Sequence, residues 1–328
     1  MQPLREKSNI WENLKTSKNL LAFSSGVDSS ALFFMLVEND VKFDIAIVDY
    51  NLRASSKDEV NYAKELAETY DKKIFLKSVK LTTSNFEKKA RDERYDFFTE
   101  IIKENGYDTL LTAHHLGDKL EWFFMRFVRG SGAVELNGFS LEEKYENFRI
   151  VRPLIYKTKD ELLDFLNDKG HKYFIDESNF DEKYERNYFR KHICTGLLDR
   201  YKDGIKRSFE ALETDKKLLL DDEYEKIKEL YFFKRDKNEI RQIAKILKFF
   251  KIVLTKAQRE ECEKNKNCVI SGKVAVGKND IYVFIAPFIK DVTMTKEFKE
   301  ECRLSKIPLH VRAYMYKNDI NAKKLKKL

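Results

Sequence analysis

The feature that most constrains the fold is a polar turn at residues 24–30, with the sequence SSGVDSS. It follows a short apolar run at residues 20–23 and leads directly into an apolar helical stretch. Capping a helix needs only one small polar residue, whereas six of these seven positions are small or polar. The turn therefore predicts a strand, a loop and a helix whose backbone N–H groups converge on an anion such as phosphate.

The first part of the chain alternates between strands and helices. Short apolar runs predict strands at residues 20–23, 43–48, 73–79 and 110–113. Helical spacing predicts helices at residues 29–38, 57–70 and 85–104. This alternation is typical of an α/β fold with a parallel sheet of Rossmann-like type, which helices cover on both faces. Ligands of such sheets bind beyond the carboxyl ends of the strands.

The pattern changes after Pro153. Residues 159–169 and a long charged stretch at residues 187–230 are predicted to be helical. Residues 268–285 instead alternate like a β-hairpin, with Gly-Lys-Asn-Asp as its turn. We therefore predict a domain boundary near residue 210.

The two predicted domains differ in charge. They are an α/β domain at residues 1–210, and a helical linker with a small α+β domain at residues 211–328. Residues 1–207 hold 35 basic and 36 acidic side chains, and the rest of the chain holds 28 basic and 19 acidic ones. The basic excess of the C-terminal third suits a polyanion such as a nucleic acid. A lysine-rich solvated surface would give the same count, so charge alone leaves both interpretations open.

Composition excludes several classes of protein. An apolar fraction of 42% with 25 Phe and 16 Tyr excludes a disordered chain. No apolar run approaches the ~20 residues of a membrane span, and the first residues lack the apolar core of a signal peptide. A cytoplasmic protein without a membrane partner is therefore expected. The four cysteines form no Cys-x-x-Cys pair, which argues against a disulfide framework or a zinc site.

Further polar segments follow the predicted strands and helices in order. They are VDYNLR at 48–53, NFEKKARDERY at 85–95, TAHHLGDKLE at 112–121, RGSG at 129–132, RPL at 152–154, DESNFD at 176–181 and YERNYFR at 184–190. With the turn at 24–30, they resemble the motifs of the PP-loop ATP pyrophosphatases, and among these the tRNA(Ile)-lysidine synthetase family. The resemblance covers about residues 18–195. The chain departs from the family pattern at Ser25, which replaces a glycine, at Gly117, which replaces an aspartate, and at Trp122, which replaces a threonine.

The resemblance implies a ligase with an adenine nucleotide alpha hydrolase-like fold. Enzymes of this family use ATP to adenylate the C2 oxygen of the wobble cytidine in a tRNA(Ile) with a CAU anticodon. The amine of free L-lysine then displaces AMP to give lysidine. The expected cofactors are therefore ATP and Mg²⁺, and the expected partners are tRNA(Ile) and L-lysine. Monomer and homodimer both stay open.

By resemblance, two groups of residues bind ATP. The first is the polar turn, with Ser24, Ser25, Gly26, Val27, Asp28 and Ser29. The second is Asp49 and Arg53, at and after the end of the second predicted strand. Asp49 could equally cap a turn, and the residues alone do not separate the two interpretations.

The expected catalytic residues are Asp28, Arg91, His114, Asp118 and Glu121, and the expected Mg²⁺ ligands are Asp28 and Asp118. Asp118 and Glu121 are three residues apart on a predicted helix, so their carboxylates face the same way. Acidic residues in a first turn would also complement the helix dipole. His114 and His115 lack a third histidine nearby, which favours hydrogen bonding over metal binding. The base that deprotonates the lysine amine stays open among His114, His115, Asp118 and Glu121.

The expected substrate-binding residues are Arg94, Arg126, Arg129, Asn187 and Arg190. Arg91 and Arg94 share a helical face, where they could reach the leaving phosphates or be ordinary solvated charges. Two other functions stay open. One is a related PP-loop tRNA-thiolation ATPase, although such enzymes typically add Cys-x-x-Cys pairs. The other is a tRNA-binding protein that has lost catalysis through its changes at Ser25 and Gly117.

Overall fold

The computed structural model describes residues 10–50, 56–79, 86–145, 147–175, 185–219, 224–322 and 325. The chain divides into two compact units, Met1–Thr214 and Asp215–Leu328. Each unit contains a sheet and its own buried apolar clusters. The assignment of ATP chemistry to residues 1–210 and of tRNA binding to residues 211–328 stays a prediction.

A six-stranded sheet forms the centre of the first unit. Its strands are β1 (Asn19–Ala22), β2 (Phe43–Asp49), β3 (Ile74–Ser78), β4 (Thr109–Leu111), β5 (Glu142–Tyr145) and β6 (Phe148–Val151). Their order is β3-β2-β1-β4-β6-β5, and every neighbouring pair is parallel except β5 with β6. The predicted strands and the Rossmann-like sheet are therefore confirmed. The sequence predicted neither β5 nor β6. The β5 residues EEKY carry three charges and show no apolar alternation, and β6 is a strand of only four residues, FRIV.

Helices cover both faces of this sheet, as predicted. They are α1 (Ile10–Lys15), α2 (Val27–Glu38), α3 (Ser56–Thr69), α4 (Phe86–Asn105), α5 (Leu116–Phe127), α6 (Ala133–Leu136), α7 (Lys159–Asp168), α8 (Glu185–Phe189) and α9 (Thr195–Leu219). A short π-helix, Arg190–Cys194, joins α8 to α9. Successive β1 residues point to opposite faces. Leu21 packs in the cluster formed by α2 and α3, and Leu20 packs with residues of α4.

Phe33 of α2 lies at the centre of the first of these clusters. It is fully buried, and its ring centroid lies 5.1 to 5.7 Å from those of Phe23, Phe34, Phe43 and Tyr70. The neighbouring rings are tilted or edge-on, which suits the charge distribution of aromatic rings. This packing holds α2, and with it the polar turn, against β1 and β2.

An antiparallel sheet forms the centre of the second unit. Its strands are β7 (Glu225–Ile227), β8 (Leu230–Lys234), β9 (Asn267–Ile270), β10 (Val274–Lys278) and β11 (Tyr282–Pro287), in the order β7-β8-β11-β10-β9. Its helices are α10 (Glu239–Phe249), α11 (Lys256–Lys264), α12 (Lys296–Leu304) and α13 (Leu309–Lys317). Residues of α10 and α11 pack on one face, and residues of α12 and α13 pack on the other. The aromatic residues Tyr231, Phe232 and Phe233 are buried in β8.

The predicted single hairpin at residues 268–285 is a meander of three strands. Ser271 and Gly272 have left-handed backbones, with φ of 52° and 66°, and they form a tight turn between β9 and β10. The sequence did not predict this turn, because apolar and polar residues alternate in the same way in the strands on both sides of it. Lys278, assigned to a turn from sequence, lies in β10 and pairs with Val283.

No helix in the described part of the chain combines the length and the apolar character that a bilayer crossing requires.

The packing around Phe33 leads to a prediction about the stability of the protein. Phe33→Ala removes a fully buried ring, and we expect it to lower the free energy of unfolding by about 3–5 kcal/mol. Phe127→Ala is the matched control, because the Phe127 side chain is 59% exposed and its loss should cost far less. Urea denaturation followed by circular dichroism measures both. Equal losses for the two variants would contradict the central role of Phe33.

Candidate active site

The polar turn is held by hydrogen bonds on all sides. The Ser25 hydroxyl donates to the Glu59 carbonyl at 2.7 Å, and the Ser25 carbonyl accepts from the Phe174 N–H at 2.9 Å. The Ser24 N–H donates to the Ser29 hydroxyl at 3.2 Å, and that hydroxyl donates to the Gly26 carbonyl at 3.1 Å. Gly26 is the N-cap of α2, and no side chain of the described residues caps this helix. The first N–H groups of α2 are therefore available to an anion.

Ser25 has a left-handed backbone, with φ of 59°. Glycine adopts this conformation at no steric cost, whereas serine is strained there, which gives a physical reason for glycine at this position of the family motif. Because the Ser25 hydroxyl bonds to Glu59, it is directed at α3 rather than offered to a phosphate. The departure at Ser25 therefore leaves the path of the turn intact.

His115 and Asp118 form the N-terminal cap of α5. The His115 Nδ1 accepts from the Gly117 N–H at 3.0 Å, and the Asp118 carboxylate accepts from the His115 N–H at 2.8 Å. Since Nδ1 is an acceptor, the neutral ring carries its proton on Nε2. That Nε2 lies 3.9 Å from the Asp28 carboxylate and 3.8 Å from the Asp118 carboxylate. The ring thus joins the carboxylates that follow β1 and β4.

Gly117 makes this position of the His115 ring possible. A Cβ atom at residue 117 would lie 2.6 Å from His115 Cε1 and 3.0 Å from Nδ1, and the first distance is far below a normal contact. Any side chain there would therefore displace the ring. The second departure from the family pattern removes a carboxylate but lets the imidazole lie between Asp28 and Asp118.

Two groups near this ring have shifted pKa values. Burial lowers the pKa of His114 to about 3, so its ring is neutral near pH 7. Its Nδ1 lies 2.9 Å from the Thr112 hydroxyl, and the ring stacks on Phe139 with 4.8 Å between centroids. Burial acts to raise the pKa of Asp118. The interaction with His115, the charge of Arg186 and the hydrogen bond from the His115 N–H outweigh burial and hold this pKa below its usual range.

Glu121 is enclosed by arginines. Its side chain is 2% exposed, and it accepts from Arg186 Nε at 2.6 Å and from Arg190 Nε at 2.6 Å. Arg186 also bonds to the Asp118 carboxylate. Arg190 in turn reaches the Asn187 amide oxygen at 3.4 Å. Glu121, predicted to be catalytic, is therefore placed to position two guanidinium groups.

Sequence reasoning did not select two charged residues of this site. Arg186 stands four residues before Arg190, and this spacing puts both on one helical face, which is a signal that could have identified it. Lys159, the first residue of α7, donates to the Asp28 carboxylate at 2.7 Å. No local pattern pairs Lys159 with Asp28, because the contact joins α7 to the start of α2.

The other predicted site residues are spread around this group. Arg91 and Arg94 are exposed on α4, and the charge of Arg91 contributes to the low pKa of His114. Arg126 lies over the Trp122 ring at 4.3 Å, and Arg129 pairs with Glu185. Asp49 ends β2, and its carbonyl accepts from the Val79 N–H at 2.8 Å. Arg53 lies outside the described residues.

The carboxylate pair fits a magnesium ion that also binds phosphate. Asp28 and Asp118 supply hard oxygen ligands, which Mg²⁺ prefers, and substrate phosphates and water usually complete its shell. Both carboxylates lie within 4 Å of one His115 nitrogen. In the described part of the chain, no group of three or more His, Cys, Asp or Glu residues could hold a metal without such help.

Comparison with known proteins connects this site to a family. The PP-loop domain family matches residues 2–197. A tRNA(Ile)-lysidine synthase from Campylobacter jejuni (strain NCTC 11168) is 44% identical over 320 residues, which cover 97% of this chain and 98% of that protein. The tRNA(Ile)-lysidine synthase of Wolinella succinogenes is 42% identical over 316 residues, which cover 95% and 96%. That of Helicobacter pylori (strain J99) is 39% identical over 315 residues, which cover 95% and 93%.

A solved structure shares the fold at low sequence identity. The U34-tRNA thiolase NcsA from Methanococcus maripaludis, with its 4Fe-4S cluster, has a TM-score of 0.52 and 17% identity. The match covers 64% of this chain and 79% of that one. At this identity the likeness shows the fold alone.

The lowered pKa of the half-buried His114 ring makes the stability of the protein depend on pH. Between about pH 6.5 and pH 3 the unfolded chain binds a proton at this residue and the folded chain does not, so acid favours unfolding. Well below pH 6.5 this costs about 1.4 kcal/mol for each pH unit. We expect His114→Asn to remove this part of the slope. Urea denaturation of both proteins between pH 6.5 and 4.5 measures it, and equal slopes would show that His114 protonates in the folded state.

Proposed function

The chain belongs to the tRNA(Ile)-lysidine synthases, a family of PP-loop proteins, and from this membership we propose that it is an ATP-dependent ligase that makes lysidine. It would join free L-lysine to C2 of the wobble cytidine of a tRNA(Ile) with a CAU anticodon. The observation that carries the proposal is the meeting of Asp28, from the polar turn, with Asp118 across the His115 ring. The predicted cytoplasmic location is part of the proposal.

The polar turn is proposed to hold the phosphates of ATP. The uncapped N-terminus of α2 offers N–H groups and the positive end of the helix dipole. Lys159 lies beside Asp28, where its ammonium would face the departing pyrophosphate. Asp28 and Asp118 would hold Mg²⁺, which when bound neutralises charge on the phosphates.

The proposed reaction has two steps, the transfer of an adenylyl group to an oxygen and then the replacement of a C–O bond by a C–N bond. The C2 oxygen of the cytidine attacks the α-phosphate of ATP, and pyrophosphate leaves. The lysine amine then attacks C2, and AMP leaves with that oxygen. Preorganised charges aimed at the phosphates are the main catalytic contribution of a site of this kind.

We propose that none of the four candidate residues, His114, His115, Asp118 and Glu121, is the base that deprotonates the lysine amine. His114, with a pKa of about 3, holds a proton too weakly near pH 7. Glu121 is occupied by Arg186 and Arg190, and the pKa of Asp118 is lowered. The acceptor nitrogen of His115 is taken by the Gly117 N–H. We therefore assign these four groups to binding and positioning, with the His115 Nε2 lying 3.8 to 3.9 Å from the two carboxylates.

The second unit is proposed to hold tRNA phosphates. A cavity of about 340 Å³ between α12 and α13 is lined by Lys296, Lys299, Arg303 and Arg312, with Glu300 as an acidic member. These cations are positioned to contact a nucleic-acid backbone without reading its sequence. Their cluster supports the interpretation of the basic C-terminal third as a polyanion-binding surface and not as a solvated surface alone.

The two other functions left open by the sequence are less well supported. All four cysteines are buried free thiols, which does not suit the chemistry of a solvent-reached sulfur-transfer site. Loss of catalysis through Ser25 and Gly117 is disfavoured because each residue has a defined place in the site.

The carboxylate of Asp28 is expected to be essential. Asp28→Asn removes a charge from the proposed metal and phosphate site, so tRNA-dependent exchange of pyrophosphate into ATP should fall by about 100-fold or more. Asp164→Asn, at an exposed position of α7, is the matched control and should exchange at the parent rate. If Asp28→Asn exchanges pyrophosphate at a rate within about threefold of the parent rate, the polar turn takes no part in the reaction.

The basic cavity should set the salt dependence of tRNA binding. If some six phosphates are contacted, the parent loses affinity by about 10³-fold between 50 and 200 mM salt. Replacing Lys296 and Lys299 by Gln should lower the slope of log K against log salt by about 1.8. The control pair, Lys57→Gln and Lys64→Gln, is exposed on α3 of the first unit and should keep the parent slope. An unchanged slope after replacement of Lys296 and Lys299 would show that these lysines are solvated and do not contact tRNA phosphates.

A further inference from the structure

The second unit contains a cavity of about 480 Å³ that the proposed reaction does not use. It lies beside β8, where the short strand β7 pairs only as far as Phe232. Its walls include Tyr224, Phe232 and Tyr282, and α10 contributes Asn238 and Gln242. The cavity thus combines aromatic walls with two side-chain amides.

Gln242 is the feature that indicates a ligand. The residue is only 4% exposed, and neither the oxygen nor the nitrogen of its amide has a hydrogen-bond partner among the residues that the structure describes. A buried amide without partners costs stability, and an apolar side chain of the same shape would avoid that cost. Its retention in the wall of a cavity points to a partner that enters from the cavity.

The charges around the cavity select the type of ligand. Glu225 and Asp236 are acidic and Lys234 is basic, so the lining has no excess of positive charge. This disfavours a phosphate, in contrast to the lysine-rich and arginine-rich cavity of α12 and α13. Aromatic walls accept a flat ring, and an amide that both donates and accepts matches the edge of a nucleobase. Carboxylates at the rim can accept from exocyclic amines of bases.

We propose that this cavity receives an unstacked nucleobase of the tRNA, whose ring lies against the aromatic walls and whose edge bonds to the Gln242 amide. Proteins recognise RNA sequence mainly through such splayed bases in loops and at single-stranded ends. The proposal rests on the proposed function in one respect, that the RNA is a tRNA.

Gln242→Met tests the proposal because it removes the amide and keeps the shape of the side chain. We expect its melting temperature to rise, since the unpaired amide is gone, while its affinity for a tRNA(Ile) transcript falls about tenfold, as expected for loss of one base contact. A fully base-paired RNA of similar length should bind both proteins equally. Tyr282→Leu, which removes an aromatic wall, should weaken binding of the tRNA transcript in the same way.

Several outcomes would overturn the proposal. If Gln242→Met binds the tRNA transcript with an affinity within twofold of the parent, Gln242 contacts no base. An equal loss for both RNAs would indicate a general change of the surface. A free nucleotide offers the same base chemistry, so weaker binding of ATP by Gln242→Met would identify ATP as the source of the base and exclude tRNA. Failure of the proposed function is distinguishable, because the parent protein itself would then bind no tRNA or make no lysidine.

Discussion

The parallel pairing of β1 with both β2 and β4 is the constraint on which the candidate site depends. It places the segments that follow β1 and β4 side by side at one edge of the sheet. Asp28 lies in the segment after β1, and Asp118 lies in the segment after β4. The His115 ring lies within 4 Å of both carboxylates. A slip of register in β1 would exchange its buried faces, so the packing of Leu20 and Leu21 on opposite sides also fixes the site.

Buried charge is the second organising factor. Asp118 and Glu121 lie in the first turns of α5 with little exposure, and such carboxylates are tolerated only when they are paired. Arg186 and Arg190 supply the pairing from a later part of the chain. These three ion pairs therefore neutralise the buried carboxylates and orient two guanidinium groups beside the candidate site. This dual role explains why Glu121 is better described as a positioning residue than as an acid or a base.

The departures from the family motif at Ser25 and Gly117 are each accommodated by the geometry around the residue. Ser25 keeps the left-handed backbone of a glycine and directs its hydroxyl to Glu59. Gly117 lacks the family carboxylate, and the space left by its missing side chain is occupied by the His115 ring. Motif comparison alone left loss of catalysis at both positions open, because it compares residue types and not the space that the side chains occupy.

Local sequence determined much of this protein. The turn SSGVDSS after an apolar strand, and the alternation that follows, predicted the parallel sheet and the helix start that faces an anion, because capping and periodicity act over a few residues. The motif order also predicted the family. Only the tertiary structure decided that Lys159 reaches Asp28 and that Arg186 shares Glu121 with Arg190. It also decided that the buried Gln242 amide finds no hydrogen-bond partner within the described part of the chain. Hydrogen bonds and burial between residues far apart in the chain depend on how complete elements pack, and no local pattern specifies that packing.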